Sequence, residues 1–506
     1  MLVLSCYSAS SENPANHRKS REPVTAAAWL TLQLNEDPEW FKPDNPGAKI
    51  IEEQTGVSIN WILFPGDNVQ KSGEAFSIMM ASDDIPDMVI GNVGSQLKNY
   101  YQDWFPIDTA IRKNPGRYPN LDKYVLNDNY LKFCLPESDG HFRYIPMLSF
   151  RRIGDILMVR GDLLEKYNLS EPISANDWYI ALSAAKKDGK IPYMTRYQRW
   201  GILYRLMAGY MDCVIEDYFV EDGKVKYGIL DSRFRETIEL ARKWYAEGLI
   251  DPDYPDTDAS RWWEEVLEGN VFATHDNIQR IPSANNDYIN NRDQPVSARL
   301  IGVGPMQSKY TGKRNTLIHY PKVRDRSAAI SVKSKIPERI LDYFEYCFSD
   351  AGFILMNFGI EGISFNYVNN IPVMDPDFGI KAGRGELPYI VTIRDMPKNQ
   401  KDELLYDYNL DREDHQLLRE ARDLYASNDF IRENWIASLS FTEEERAVLI
   451  PIQEELNSYR GFMLDRFIMG LEPMENWDIF MANLLQMKLM ITIDIYQTAL
   501  DRLHIN

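Results

Sequence analysis

From Ala26 to Ile90 the chain alternates short apolar runs with helical periodicity, and this alternation leaves few folds open to it. Ala26-Ala27-Ala28-Trp29-Leu30-Thr31-Leu32-Gln33-Leu34 reads as a first strand, Pro46–Thr55 as a helix closed by Gly56, and Val57–Leu63 as a second strand. Lys71–Ala81 is a second helix, and Met88-Val89-Ile90 a short buried strand. Strand–helix–strand repetition predicts an α/β unit with a largely parallel sheet, whose ligands lie beyond the C-terminal strand ends. A second such unit is expected from Ile156–Val159, Ser174–Lys187, Phe234–Glu247 and Val271-Phe272-Ala273-Thr274. The last third reads as mostly helical: Pro337–Phe348, Asp411–Tyr425, Thr442–Phe467 and Trp477–Arg502. Thr442-Glu443-Glu444-Glu445 is a capping box, and Pro388 to Gln400 reads as a long loop.

At 506 residues the chain exceeds what one hydrophobic core organises. Its formal net charge of -19 excludes nucleic acid as a partner, because a phosphate backbone has to be met by clustered Lys and Arg. The 11 Trp and 29 Tyr exceed what packing requires, so a few should line a site where flat apolar faces are useful. Cys6, Cys134, Cys213 and Cys347 fit no metal spacing and are too few for a disulfide scaffold; the last three read as buried apolar residues. Val3-Leu4-Ser5-Cys6, followed by a polar stretch from Tyr7 to Pro23, resembles a bacterial lipobox whose cysteine carries lipid. The basic n-region and longer apolar stretch of a full signal do not precede it, so the start is truncated or the match is chance. No run of about 18 apolar residues follows that would span a membrane.

Phe76-Ser77-Ile78-Met79-Met80-Ala81-Ser82-Asp83-Asp84-Ile85-Pro86-Asp87 resembles the extracellular solute-binding proteins of family 1, and among them the large alginate-binding type and its Gram-positive lipoprotein relatives. Further blocks follow in the same order: Gln54-Thr55-Gly56-Val57, Tyr245–Pro252, Thr274-His275-Asp276, Phe358–Phe365 and Thr442–Arg446. The resemblance implies a two-lobed, type II periplasmic-binding-protein-like fold with three crossings, an interlobe cleft and closure on ligand. It implies a tether over 1–22, one lobe from 23–154 plus 319–360, and the other from 155–318 plus 361–506, both discontinuous, with a helical C-terminal part. It further implies a monomeric receptor that binds an oligosaccharide for an ABC importer, meets a permease, touches membrane only through lipid on Cys6, and uses no cofactor. Physically, the same blocks also serve packing. Met79 and Met80 fill core on an amphipathic helix, and Gly248 is a left-handed helix C-cap.

Departures from that type bear on the ligand. Where its calcium loop stands, this chain reads Lys186-Lys187-Asp188-Gly189-Lys190-Ile191-Pro192, and one carboxylate cannot supply six to eight oxygens, so no metal is expected. Asn277 replaces the Trp after Thr-His-Asp, and the second stacking Trp falls near Thr392 or Ile393. Candidate ligand residues are Trp40 and Asn92, both just past strand ends, with Tyr197, Arg199, Trp200 and Asn277. Arg324 and Arg326 join them, since period-two spacing from Lys322 puts three cations on one side of an extended segment. Such cations suit an acidic sugar. Trp40 equally serves as a helix staple, Asn92 as a turn cap, and one of Trp262 and Trp263 as core. His275 has no nucleophile beside it, and the pairs Asp83/Asp84 and Asp251/Asp253 lie in turns, so no catalytic residue is assigned. The alternatives are a secreted polysaccharide-degrading enzyme and a peptide-binding receptor on the same fold.

Overall fold

A computed structural model describes residues 23–32, 45–65, 69–82, 84–91, 97, 100–127, 131, 137, 139–148, 155–290, 295, 297–317, 323–368, 370–375, 413–428, 430–432, 439 and 441–505. Trp40, Asn92, Lys322, Cys6, Cys134 and the Pro388–Gln400 loop lie outside the described residues. Nine strands build the two main sheets: β1 (Val24–Leu32), β2 (Val57–Pro65), β3 (Met88–Gly91), β4 (Tyr144–Leu148), β5 (Asp155–Arg160), β6 (Ile191–Tyr193), β7 (Val271–Asn277), β8 (Leu300–Val303) and β9 (Val323–Ile330). The first sheet has the order β2-β1-β3-β9-β4, the second β8-β5-β7-β6.

In the first lobe, β1 runs parallel to β2 from Val24↔Val57 to Leu32↔Pro65 and parallel to β3 from Ala28↔Met88 to Leu30↔Ile90. The helix Pro46–Thr55 between β1 and β2 starts under the Asn45 side chain, which accepts from the Gly47 and Ala48 amides, and stops at left-handed Gly56. Asp87, from the Ile-Pro-Asp turn, accepts from the Ala27 amide at 3.0 Å and the Ser334 hydroxyl at 2.6 Å, tying β1 to the turn after β9. Ala26, Ala28, Met88 and Ile90 then face a core completed by the helices Pro337–Cys347 and Asp350–Phe358, which return to this lobe late in the chain. Met79 is buried with Phe76 and Trp104 beneath the same sheet.

The second lobe is built on β5, buried along its whole length. Leu157 and Val159 enter a core with Trp178, Phe234, Trp244 and the C-terminal helices. Ile156 and Met158 enter another with Trp262, Ile281, Leu418 and Tyr425. Period-two alternation thus divides one strand between two helical layers. Ser174 and Thr442 head their helices as reciprocal capping boxes, and Gly248 is left-handed at φ 63°. The expected single helix Trp477–Arg502 is instead two, Trp477–Gln486 and Leu489–Ile505, because Lys488 is left-handed at φ 65° and the axis bends by 61°. Among the described residues, no single helix is long and apolar enough to cross a membrane.

One ion-pair cluster fastens the first lobe's late helix to its early part. Arg117 grips Asp342 with Nε at 2.9 Å and Nη2 at 2.8 Å, and Glu338 with Nη1 at 2.6 Å. Arg117→Ala removes two hydrogen bonds from the Asp342 carboxylate, only 8% exposed, and leaves it Arg339 Nε at 3.3 Å. It should therefore lower unfolding stability by about 2 kcal/mol in a denaturant titration.

Candidate functional site

Strand direction locates the open end of each sheet. The C-terminal ends of β1, β2, β3 and β4 lie together, and β9 begins at that same end, since Val323 pairs with Leu148. In the second sheet, Asp155 at the start of β5 pairs with Asn277 at the end of β7, and β6 runs parallel to β7. β4 ends and β9 begins at the open end of the first sheet, and β5 begins on the side of the second sheet where β6 and β7 end. Residues just after Tyr193 and Asp276 stand at that mouth.

There the chain makes a short helix, Gln198–Gly201, which widens into a π-helical turn, Ile202–Leu206. Such turns recur at functional sites because they re-aim side chains. Trp200 stacks on Tyr204 at 5.3 Å between centroids, and Tyr197 meets Trp200 edge-on at 5.4 Å. His275 lies beneath, 5.6 Å from Tyr197 and 6.4 Å from Trp200. Gly201 permits this approach: a Cβ there would stand 1.9 Å from Thr195 Oγ1 and 2.2 Å from His275 Cε1. The Tyr193 hydroxyl, buried and pushed well above the usual phenol range by desolvation, donates to the Gly201 carbonyl at 2.9 Å. Its one proton being spent, it accepts from His275 Nδ1 at 3.0 Å, so that nitrogen carries a hydrogen. His275 is a packed histidine, fully buried.

Guanidinium groups interleave with these rings. Arg205 lies 4.5 Å over Trp200 and 3.8 Å from the buried Asp155 carboxylate. Arg196 lies 4.4 Å over Tyr197, and Arg280 lies 4.5 Å over Trp263. Both reach the same Asp276 oxygen, at 2.7 Å and 3.1 Å. Arg196 is 22% exposed and Arg280 35%, whereas Asp276 is 3% exposed. Two cations on one buried carboxylate leave one positive charge facing solvent. Trp262 is the core member of its pair, donating to Thr274 at 2.7 Å.

The structure brings Tyr197, Trp200 and Asn277 to one mouth and sends Arg199 elsewhere. The Arg199 guanidinium binds Glu216 at 2.9 Å, Asp465 at 2.6 Å and the Gly461 carbonyl at 3.0 Å, so it braces the Glu443–Met469 helix. Burial pushes the Asp465 carboxyl up, against the pull of Arg199 and Tyr254. The reason is helical geometry: neighbours on a helix diverge by about 100°, so Arg199 and Trp200 cannot share a face. Arg324 and Arg326 lie on β9, whose pairing register with β4 shifts between Arg324 and Ser327. Sequence reasoning missed Arg196, Arg205 and Arg280. The one local signal is Asp276 at the end of β7, four residues before Arg280, which pairs with it at 3.1 Å.

In the Lys186–Pro192 segment, amines and backbone carbonyls meet directly. Lys166 Nζ lies 2.7 Å from both Asp188 oxygens, and Tyr167 donates to Asp188 at 2.9 Å. These bonds, Lys166 first, hold the Asp188 carboxyl below its usual range. Lys190 donates to the Gly269 carbonyl at 2.8 Å, and Lys186 to that of Glu247 at 2.6 Å.

No family model matches the chain. It is 24% identical over 355 residues to the fructooligosaccharide ABC transporter substrate-binding protein FusA of Streptococcus pneumoniae, across 64% of this chain and 60% of that one. It is 21% identical over 391 residues to the lipoprotein LipO of Bacillus subtilis, across 73% and 72% of the two chains. The crystal structure of the alginate-binding protein AlgQ2 without calcium ion superposes with a TM-score of 0.75 at 22% identity, covering 95% of this chain and 98% of that one. The chain has the two-lobed fold of extracellular solute-binding proteins, as its sequence blocks suggest.

Gly201→Ala drives a Cβ into Thr195 and His275, and should cost about 1–3 kcal/mol in chemical denaturation. EDTA should leave the thermal midpoint unchanged, as read by differential scanning calorimetry, because lysine amines hold the Lys186–Pro192 segment.

Proposed function

We propose that the protein is the substrate-binding receptor of a carbohydrate ABC importer, which captures an oligosaccharide between its lobes, closes on it and catalyses nothing. The observation that carries this reading is the shelf of Tyr197, Trp200 and Tyr204 at the mouth where β6 and β7 end. An aromatic face matches the C–H face of a pyranose, and the surrounding guanidinium and carboxylate groups match its hydroxyls. Against an enzymatic role, the Asp251/Asp253 pair is consumed by its own turn: Asp251 accepts from Thr257 at 3.2 Å and from the Asp253 amide at 3.2 Å. Curated relatives and solved neighbours named as oligosaccharide-binding ABC proteins support the same class.

In this reading one lobe comprises 23–154 plus 319–360 and the other 155–318 plus 361–506. Asn277, and Trp40 and Asn92 from the first lobe, complete the cleft. The chain works outside the cytoplasm as a monomer, held to the membrane by lipid on Cys6, and its closed form engages a permease. The ligand is an acidic oligosaccharide, because Arg196 and Arg280 together outnumber Asp276. A chain of net charge -19 needs such a local excess to admit an anion.

Calorimetric titration with tri-galacturonate and with neutral kestose tests both statements. Trp200→Ala should weaken binding of whichever sugar binds. Arg280→Gln should weaken tri-galacturonate about ten- to a hundredfold and leave kestose unaffected. Equal binding of the neutral sugar removes the acidic assignment, and release of new reducing ends during incubation would identify an enzyme instead.

A further inference from the structure

A second meeting point between the lobes lies away from the aromatic shelf. The Glu443–Met469 helix is part of the second lobe: Leu449, Leu456 and Leu464 enter its core, and Arg502 clasps Glu445 at 2.6 and 2.7 Å. Yet its first turns face Tyr100, Tyr101 and Asp103 of the first lobe across a crevice of about 480 Å³, with Arg446, Ile450 and Pro451 on the near wall. From there Arg446 reaches over. Its guanidinium carbon stands 5.5 Å above the Tyr101 ring, and Nη1 lies 3.9 Å from Oε2 of Glu137.

Glu137 belongs wholly to the first lobe and is 1% exposed. Its neighbour Tyr144 is buried in that lobe's core, and its hydroxyl is held above the usual phenol range by burial and by the Glu137 charge. Arg143 also lies over Tyr101, at 5.6 Å, but its Nη2 is taken by Asp139 at 2.6 Å and its Nε by the Tyr101 carbonyl at 2.8 Å. Arg446 thus brings a cation from the other lobe to a carboxylate withdrawn from water. Pulling the lobes apart takes that cation away and uncovers the Tyr101 ring.

We infer that Arg446, through Glu137 and Tyr101, is a positioning residue for ligand capture: it biases the lobes toward the arrangement seen here without touching ligand. A contact made in one lobe arrangement and lost in another shifts the population between them, and apparent affinity scales with the competent fraction. This inference rests on the proposed capture of sugar by closure.

The test uses the full chain as Arg446→Met, Glu137→Gln and the double variant. Small-angle scattering of the ligand-free proteins should give a larger radius of gyration for each single variant than for wild type. Titration with tri-galacturonate and kestose should give binding about three- to tenfold weaker for the sugar that wild type binds. The double variant should be no weaker than the weaker single, since both act through one contact. An unchanged radius and unchanged affinity overturn the inference, and do so equally where the melting temperature falls, because the pair is then merely structural. If wild type binds neither sugar, the carbohydrate reading fails while the scattering comparison still decides the latch.

Discussion

A sheet buried on both faces needs a covering layer on each, and that constraint shapes this molecule. It does so even though the sheets are mixed rather than largely parallel as the strand–helix alternation suggests: β5 pairs antiparallel with both β8 and β7. β5 gives Leu157 and Val159 to one helical layer and Ile156 and Met158 to another, so neither face of its sheet is open to solvent. Chemistry is confined to the strand ends. β5 begins where β7 ends, beside the end of β6, so the side chains just past β6 and β7 stand together at one edge of the second sheet.

Local geometry then arranges the groups that stand there. The missing side chain of Gly201 lets the backbone settle against Thr195 and His275, and the π-helical turn that follows presents Trp200 and Tyr204 as one stacked surface. His275 serves as a prop whose orientation is set by Tyr193. The guanidinium groups divide their roles by depth. Arg205 and Arg199 are spent on partners within the lobe, while Arg196 and Arg280 share one carboxylate and keep an edge toward solvent.

Much of this was legible in the sequence, and the misses have physical causes. The helix Pro46–Thr55 follows from Asn45, Pro46 and Gly56 without reference to anything distant. Ser174 and Thr442 likewise announce their helices. Tyr197 and Trp200 stand out in the sequence as an aromatic pair flanking Gln198 and Arg199, and the structure sets their rings edge to face. Arg199 was misplaced because its partners Glu216 and Asp465 come from remote parts of the chain, and no local pattern announces a long-range ion pair. The break at Lys488 escaped for a related reason, since a left-handed lysine leaves no compositional mark. Arg280 was overlooked because its meaning depends on Arg196, a partner on a different element.

The helix that carries Arg446 runs 27 residues, from Glu443 to Met469. At 1.5 Å per residue it is a rod of about 40 Å, fixed to the second lobe at its near end by Leu449 and the Arg502–Glu445 pair and at its far end by Phe467. A rod of that length is a lever arm. A turn of the whole second lobe by about 10° about the far end of this rod carries its tip about 7 Å, well beyond the reach of an ion pair. On the proposed closure, a small angular drift of the second lobe would be magnified into a large displacement at Arg446, so this contact would be among the first that opening breaks.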